Sequence, residues 1–268
     1  MRRSRITAYV ASLLLAVGGA FTGAAVAQAS PTAAATGYVA LGDSYSSGVG
    51  AGSYISSSGD CDRSTKAYPY LWAAAHSPSS FSFTACSGAR TGDVLANQLG
   101  PLNSSTGLVS ISIGGNDAGF ADVMTTCVLS SDSGCLSRIA TAKAYVESTL
   151  PAQLDSVYNA ISAKAPAAHV VVLGYPRFYK LGATCLGLSD TKRAAINGAA
   201  DYLDSAIAKR AADHGFTFGD TRTTFTGHEL CSGSAWLHSL NLLDITESYH
   251  PTAAGHSGGY LPVFTNLA

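Results

Sequence analysis

Five short apolar runs, Tyr38 to Leu41, Phe81 to Thr84, Leu108 to Ile113, His169 to Leu173 and Phe216 to Phe218, are bounded by Gly, Pro or Asp and read as strands. Between them, Tyr68 to Ala75, Leu136 to Lys164 and Asp190 to His214 carry Ala, Leu, Lys and Glu at helical spacing, with Pro151 positioned to start or kink a helix. This alternation limits the fold more than any other feature. Strands separated by helices pair in parallel, and a parallel sheet is covered by helices on both faces. In open sheets of that kind ligands sit beyond the carboxyl ends of the strands. The loops after the first and third runs, Gly42-Asp43-Ser44 and Gly114-Gly115-Asn116-Asp117, should therefore open onto one crevice.

The first 35 residues stand apart. Arg2, Arg3 and Arg5 precede an apolar stretch from Val10 to Val26 that ends in small residues, the pattern of a secretory signal peptide cleaved after Ala27-Gln28-Ala29 or within Ala33 to Ala35. Gly18, Gly19, Thr22 and Gly23 interrupt the stretch and leave it short for a membrane span. The expectation is residues 1–35 as leader and 36–268 as one exported domain without a stable membrane anchor. Losing three arginines and no acids takes the formal charge from -1 to -4. Nothing there provides the clustered Lys and Arg that nucleic acid or an anionic membrane requires.

All six cysteines, Cys61, Cys86, Cys127, Cys135, Cys185 and Cys231, fall in the exported part, and an even number in an oxidising compartment argues for three disulfides. Six cysteines allow 15 pairings. Short spacing favours Cys127 with Cys135, and chain order suggests Cys61 with Cys86 and Cys185 with Cys231. A metal site is not expected, because the chain contains neither CxxC nor HExxH.

Ser44 leaves a strand beside an acid and among small residues, where the backbone can present a hydroxyl to a substrate. By itself Gly-Asp-Ser is an ordinary turn. Nucleophilic catalysis also needs a base, a group that orients it, and donors for an oxyanion. His250, stiffened by Pro251, can serve as base; Asn116, after two glycines, can aim an amide; Gly88 can offer a backbone N–H from the loop after the second strand. Gly255-His256-Ser257-Gly258-Gly259 also satisfies GxSxG, but that mechanism needs its acid and histidine after the serine, and no histidine follows Ser257.

Taken in order, Gly42-Asp43-Ser44, Gly88, Gly114-Gly115-Asn116-Asp117 and His250-Pro251 resemble the four blocks of the SGNH hydrolases of the GDSL esterase and lipase superfamily. GDSYSSGVGAGSY, ACSGARTGD, IGGNDAGF, GYPRFY and SYHP are especially similar to its secreted Streptomyces lipases and phospholipases. The resemblance implies a flavodoxin-like three-layer α/β/α sandwich with a five-stranded parallel sheet, no cofactor, and disulfides paired in sequence order. It implies Ser44 as nucleophile, His250 as general base, and the N–H groups of Ser44 and Gly88 with the Asn116 amide as oxyanion hole. The expected activity is hydrolysis of lipid esters such as acylglycerols through an acyl-enzyme, by a secreted monomer. Phospholipase A1 or acyltransferase action on phospholipids is the alternative, and a non-catalytic secreted binding module a remote one. One departure stands out. The superfamily usually carries an aspartate three residues before the histidine, where this chain has Glu247, while some Streptomyces relatives use a main-chain carbonyl, which here belongs to Ser248. The longer side chain of Glu247 favours the Ser248 carbonyl. Tyr45, Tyr54, Phe120, Tyr175, Phe178 and Tyr179 are candidates to line an acyl groove.

Overall fold

The computed structural model describes residues 36–241 and 243–268. The leader expected over residues 1–35 lies outside them. Five strands, β1 (Gly37–Gly42), β2 (Ser80–Phe83), β3 (Thr106–Ser112), β4 (His169–Leu173) and β5 (Thr217–Gly219), form one sheet in the order β2-β1-β3-β4-β5, and every pairing is parallel. From β1 the chain moves first to one side, to β2, and then to the other, to β3. Beyond the carboxyl ends of β1 and β3 the strand order reverses, and this is where a doubly wound sheet opens its crevice.

All of β1 is buried, as are the last five residues of β3 and the last four of β4, which is why these strands read as continuous apolar runs and not as alternating ones. On one side, α2 (Tyr68–His76) packs on α8 (Leu261–Leu267), and α8 on β4 and β5. Tyr38, Tyr68 and Phe264 join these layers through stacked and edge-on rings. Elsewhere α4 (Phe120–Leu129), α5 (Asp132–Ser148), α6 (Leu150–Lys164) and α7 (Asp190–Asp213) pack in succession, with α7 against β4 and β5.

Of the two outcomes Pro151 allows in the helical stretch from Leu136 to Lys164, a kink or a new helix, the structure has the second. Pro151 lacks an N–H and its ring collides with the carbonyl four residues earlier, so it cannot sit inside a helix and instead occupies the first turn of α6. Ser131 and Ser189 start α5 and α7 by accepting from the N–H groups of Gly134 and Lys192. α4 carries no legible helical signal in the sequence, because its β-branched and polar residues disguise its period. Cys61 pairs with Cys86, Cys127 with Cys135 and Cys185 with Cys231. The second bridge ties α4 to α5; the other two fasten loops at the carboxyl rim of the sheet.

Candidate functional site

β1 ends at Gly42 with φ +121°, and a Cβ there would fall 2.4 Å from the Ser112 carbonyl oxygen, so only glycine lets β1 turn this close to β3. The turn starts α1 (Ser44–Ser47), capped by Asp43, whose Oδ1 accepts from the Tyr45 N–H at 3.0 Å. Asp43 is 1% exposed. It accepts further bonds from Ser112 Oγ at 2.7 Å and, on Oδ2, from the Tyr175 hydroxyl at 2.5 Å. Burial pushes its carboxyl up to about 6, against the lowering effect of those donors. Asp43 therefore holds the turn, the structural role its position beside Ser44 suggests.

Ser44, first residue of α1, has its Oγ 2.7 Å from Nε2 of His250, 206 residues downstream. Nδ1 of His250 lies 3.1 Å from the Ser248 carbonyl oxygen. With its proton on Nδ1 the ring donates to that carbonyl and leaves Nε2 free to accept from Ser44. Burial lowers the imidazole to about 4, opposed by the bond to Ser248. The Glu247 carboxylate is engaged elsewhere, accepting from the Tyr54 hydroxyl at 3.1 Å.

Backbone pairing fixes this loop. Tyr249 N–H donates to His238 O, His238 N–H to His250 O, and Thr252 N–H to Trp236 O, at 2.8 to 2.9 Å. Tyr249 takes φ +68°, a left-handed conformation that turns the chain between Ser248 and His250, and its carbonyl accepts from the Tyr45 hydroxyl at 2.8 Å.

Gly88 sits in the loop after β2 at φ +73°. The N–H groups of Ser44 and Gly88 have no acceptor among the described residues. Asn116 follows Gly114, at φ +112°, in a turn closed by Ala118 N–H to Gly114 O at 3.0 Å. One Nδ2 hydrogen of Asn116 reaches Ala89 O at 3.0 Å, and the other remains for a ligand.

Two supports had no clear signal in the sequence. The Asp117 carboxylate accepts from both the N–H and the hydroxyl of Thr91, first residue of the short α3 (Thr91–Asp93), tying the Asn116 turn to the loop that carries Gly88. The Tyr175 hydroxyl, besides donating to Asp43, accepts from Gly115 N–H at 3.1 Å and so bridges the Ser44 turn to the Asn116 turn. Asp117 was visible within GGND and Tyr175 within GYPRFY, but nothing in either wording says which loop the side chain reaches.

An apolar slot of about 710 Å³, including its open mouth, runs from Ser44 and Asn116 between α4, α5 and α7. Phe120, Met124, Val146, Phe178, Ile196 and Leu203 are among its walls, with Ala142, Ala199 and Ala200 making the space. Of the six aromatic candidates, Tyr45, Phe120, Tyr175 and Phe178 line it. Tyr54 is instead bound to Glu247 near the surface, and Tyr179 packs against Tyr249. Ser257 of the GxSxG decoy is exposed and bonded only within its own turn, while Gly259 packs on Phe225.

The arrangement provides a hydroxyl, an imidazole between that hydroxyl and a carbonyl, N–H groups left for a ligand and an apolar slot, the parts that acyl transfer requires. Comparison with known proteins agrees with that chemistry. A profile of the GDSL-like Lipase/Acylhydrolase family matches residues 40–257. Lipase 1 of Streptomyces coelicolor is 77% identical over 268 residues, 100% of both chains. Among solved structures, phospholipase A1 from Streptomyces albidoflavus NA297 is 70% identical with a TM-score of 0.86, covering 88% of this chain and 100% of that one. The extracellular lipase from Streptomyces rimosus is also 70% identical with a TM-score of 0.86, covering 87% and 100%. The chain belongs to the GDSL-like lipase/acylhydrolase family and is a carboxylic ester hydrolase of the lipase type.

Proposed function

We infer that this lipase is a secreted monomer that cleaves lipid esters such as acylglycerols through an acyl-enzyme on Ser44. The observation that carries the reading is the 2.7 Å contact between Ser44 Oγ and His250 Nε2. As Ser44 attacks the ester carbonyl, His250 takes the hydroxyl proton at Nε2. Its charge is then stabilised by the Ser248 carbonyl through Nδ1–H. The carbonyl oxygen, becoming an oxyanion, is received by the N–H groups of Ser44 and Gly88 and the free Nδ2 hydrogen of Asn116. His250 returns the proton to the leaving alkoxide. A water molecule, deprotonated by His250, then releases the acyl group as acid and regenerates Ser44. The slot between α4, α5 and α7 takes the acyl chain, and its apolar walls suit a fatty acyl group better than an acetyl group. No step calls on a metal or cofactor, and neither nucleic acid nor a membrane anchor has a role. The leader proposed for residues 1–35, the three disulfides and the extracellular lipase among the relatives support export.

A fluorophosphonate probe should label wild-type protein at Ser44 and leave Ser44→Ala unlabelled, with p-nitrophenyl butyrate turned over faster than the acetate. Labelling at another serine, or activity confined to acetyl esters, would refute the reading. The same substrate gives the pH test. Neutral imidazole is the active form and burial lowers its pKa, so kcat/KM should hold as pH falls through 6.5 and be lost near pH 4. A limb centred at 6.5 would mean a solvated imidazole.

A further inference from the structure

The two sides of Ser44 differ in character. The apolar slot lies towards β4. Towards the β2 edge a second, open cleft is lined by Arg63, Phe83, Gly88, Ala89, Asp93 and Asn97, among others. The two clefts approach each other at Ala89, whose carbonyl accepts from Asn116. With the acyl chain in the slot, the alcohol half of a bound ester is left with the second cleft.

That cleft offers an unneutralised cation. Arg138, Arg177, Arg193, Arg210 and Arg222 all pair with aspartates. Arg63 is part-buried, has no carboxylate partner among the described residues, and makes one long side-chain bond, Nη1–H to Ala85 O at 3.4 Å. Burying a guanidinium without a counter-charge costs stability. Its backbone is nevertheless held firmly: Arg63 N–H donates to Ser58 Oγ at 3.1 Å, Ile55 N–H donates to Arg63 O at 2.7 Å, and the Cys61–Cys86 bridge ties its loop to that of Gly88. Ala85 lies three residues from Gly88, a path of at most roughly 11 Å, within reach of a glycerol backbone whose ester is held at Ser44. A planar fork of donors in an open cleft is suited to bidentate recognition of phosphate. Asp93, exposed in the same cleft, adds a negative charge.

We propose that the cleft beside Gly88 is a headgroup subsite for a zwitterionic phosphodiester, in which Arg63 binds the phosphate and Asp93 faces the ammonium group. The proposal rests on the reading of Ser44 and the acyl slot given above, and it names the alcohol half that this site selects.

The experiment compares wild type, Arg63→Gln, Arg63→Lys and Asp93→Asn on phosphatidylcholine in mixed micelles, phosphatidylglycerol in the same micelles, tributyrin and p-nitrophenyl butyrate. With Arg63→Gln, kcat/KM for phosphatidylcholine should fall about 10- to 100-fold, while tributyrin and p-nitrophenyl butyrate stay within about twofold. Arg63→Lys keeps the charge and loses the fork, so it should show a smaller loss with the same selectivity; it also serves as the test if Arg63→Gln folds poorly. Asp93→Asn should reduce the preference for phosphatidylcholine over phosphatidylglycerol. Glycerophosphocholine should inhibit p-nitrophenyl butyrate hydrolysis by wild type more strongly than inorganic phosphate does, and Arg63→Gln should be insensitive to it. Equal inhibition by the two would mean a site for free phosphate and overturn the headgroup assignment. Equal losses on all substrates would make Arg63 a support of the Ala85 loop, and no loss on phosphatidylcholine would remove it from recognition. Failure of Ser44 labelling would instead refute the hydrolase mechanism, whatever Arg63 does.

Discussion

The turn carrying Ser44 and the loop carrying His250 meet across 2.7 Å but are held in opposite ways. Around Ser44 the support is a buried network of side chains: Asp43 bonded to Ser112 and Tyr175, Gln98 accepting from Gly42 N–H at 2.7 Å and returning a bond to Gly42 O at 2.8 Å. Around His250 the support is main chain: the Ser248 carbonyl on Nδ1 and the pairing of residues 236–238 with 249–252. Besides the Ser44–His250 contact, the Tyr45 hydroxyl bonds from the first region to the second, at Tyr249 O. A site braced by buried side chains is sensitive to removal of a single polar atom, because the partner left behind stays desolvated and unpaired. One braced by main chain tolerates side-chain replacement and answers to changes in backbone path.

This contrast can be tested by ranking substitutions. The largest effect is expected from Asn116→Ala, which removes the proposed oxyanion donor and should cost about 100- to 1000-fold in kcat with the fold retained; full activity would take Asn116 out of the site. Tyr175→Phe comes next. It strips one bond from Asp43 and one from Gly115 N–H, and should lower kcat about 10- to 100-fold with KM nearly unchanged. Loss of thermal stability without a change in kcat would mean that the bridge serves the fold alone. The smallest effect belongs to the His250 loop. Glu247→Gln should change kcat by less than about threefold, whereas removing the charge of a true orienting acid costs about 10⁴. A loss of that order would show that the carboxylate leaves Tyr54 to orient the imidazole, and the contrast between the two regions would collapse.

Much of the fold was legible because parallel strands covered on both faces must be apolar throughout, and β1, β3 and β4 could be read almost to their ends. β5 is three residues long and still showed itself through Phe216 and Phe218, set off by Gly215 and Gly219. The division of the long helical stretch at Thr149 depended on Pro151, visible as a break though not as a choice between kink and new helix. The orientation of His250 was harder to read. Sequence offered Glu247 and Ser248 on nearly equal terms, and the positive φ of Tyr249 together with the Tyr54–Glu247 bond separates them. Sorting the aromatics was harder still: Tyr54 and Tyr179 resemble Tyr45 and Tyr175 in composition and neighbourhood, and only their packing excludes them from the slot.

By itself, then, the amino-acid sequence determined a parallel α/β sheet, six cysteines, and a serine, a glycine, an asparagine and a histidine in the order of one superfamily. Those are properties of local pattern and of chain order. Tertiary structure alone decided which atoms face one another: that Tyr175 bridges two loops, that a carbonyl and not a carboxylate meets Nδ1 of His250, and that Arg63 is left without an acid beside Gly88. Tyr175 bonds to residues 60 and 132 positions away, and the loop that aims the Ser248 carbonyl at His250 is held by backbone pairing with His238, so these contacts depend on angles that are fixed only once the elements are packed, and no local preference of the chain encodes them.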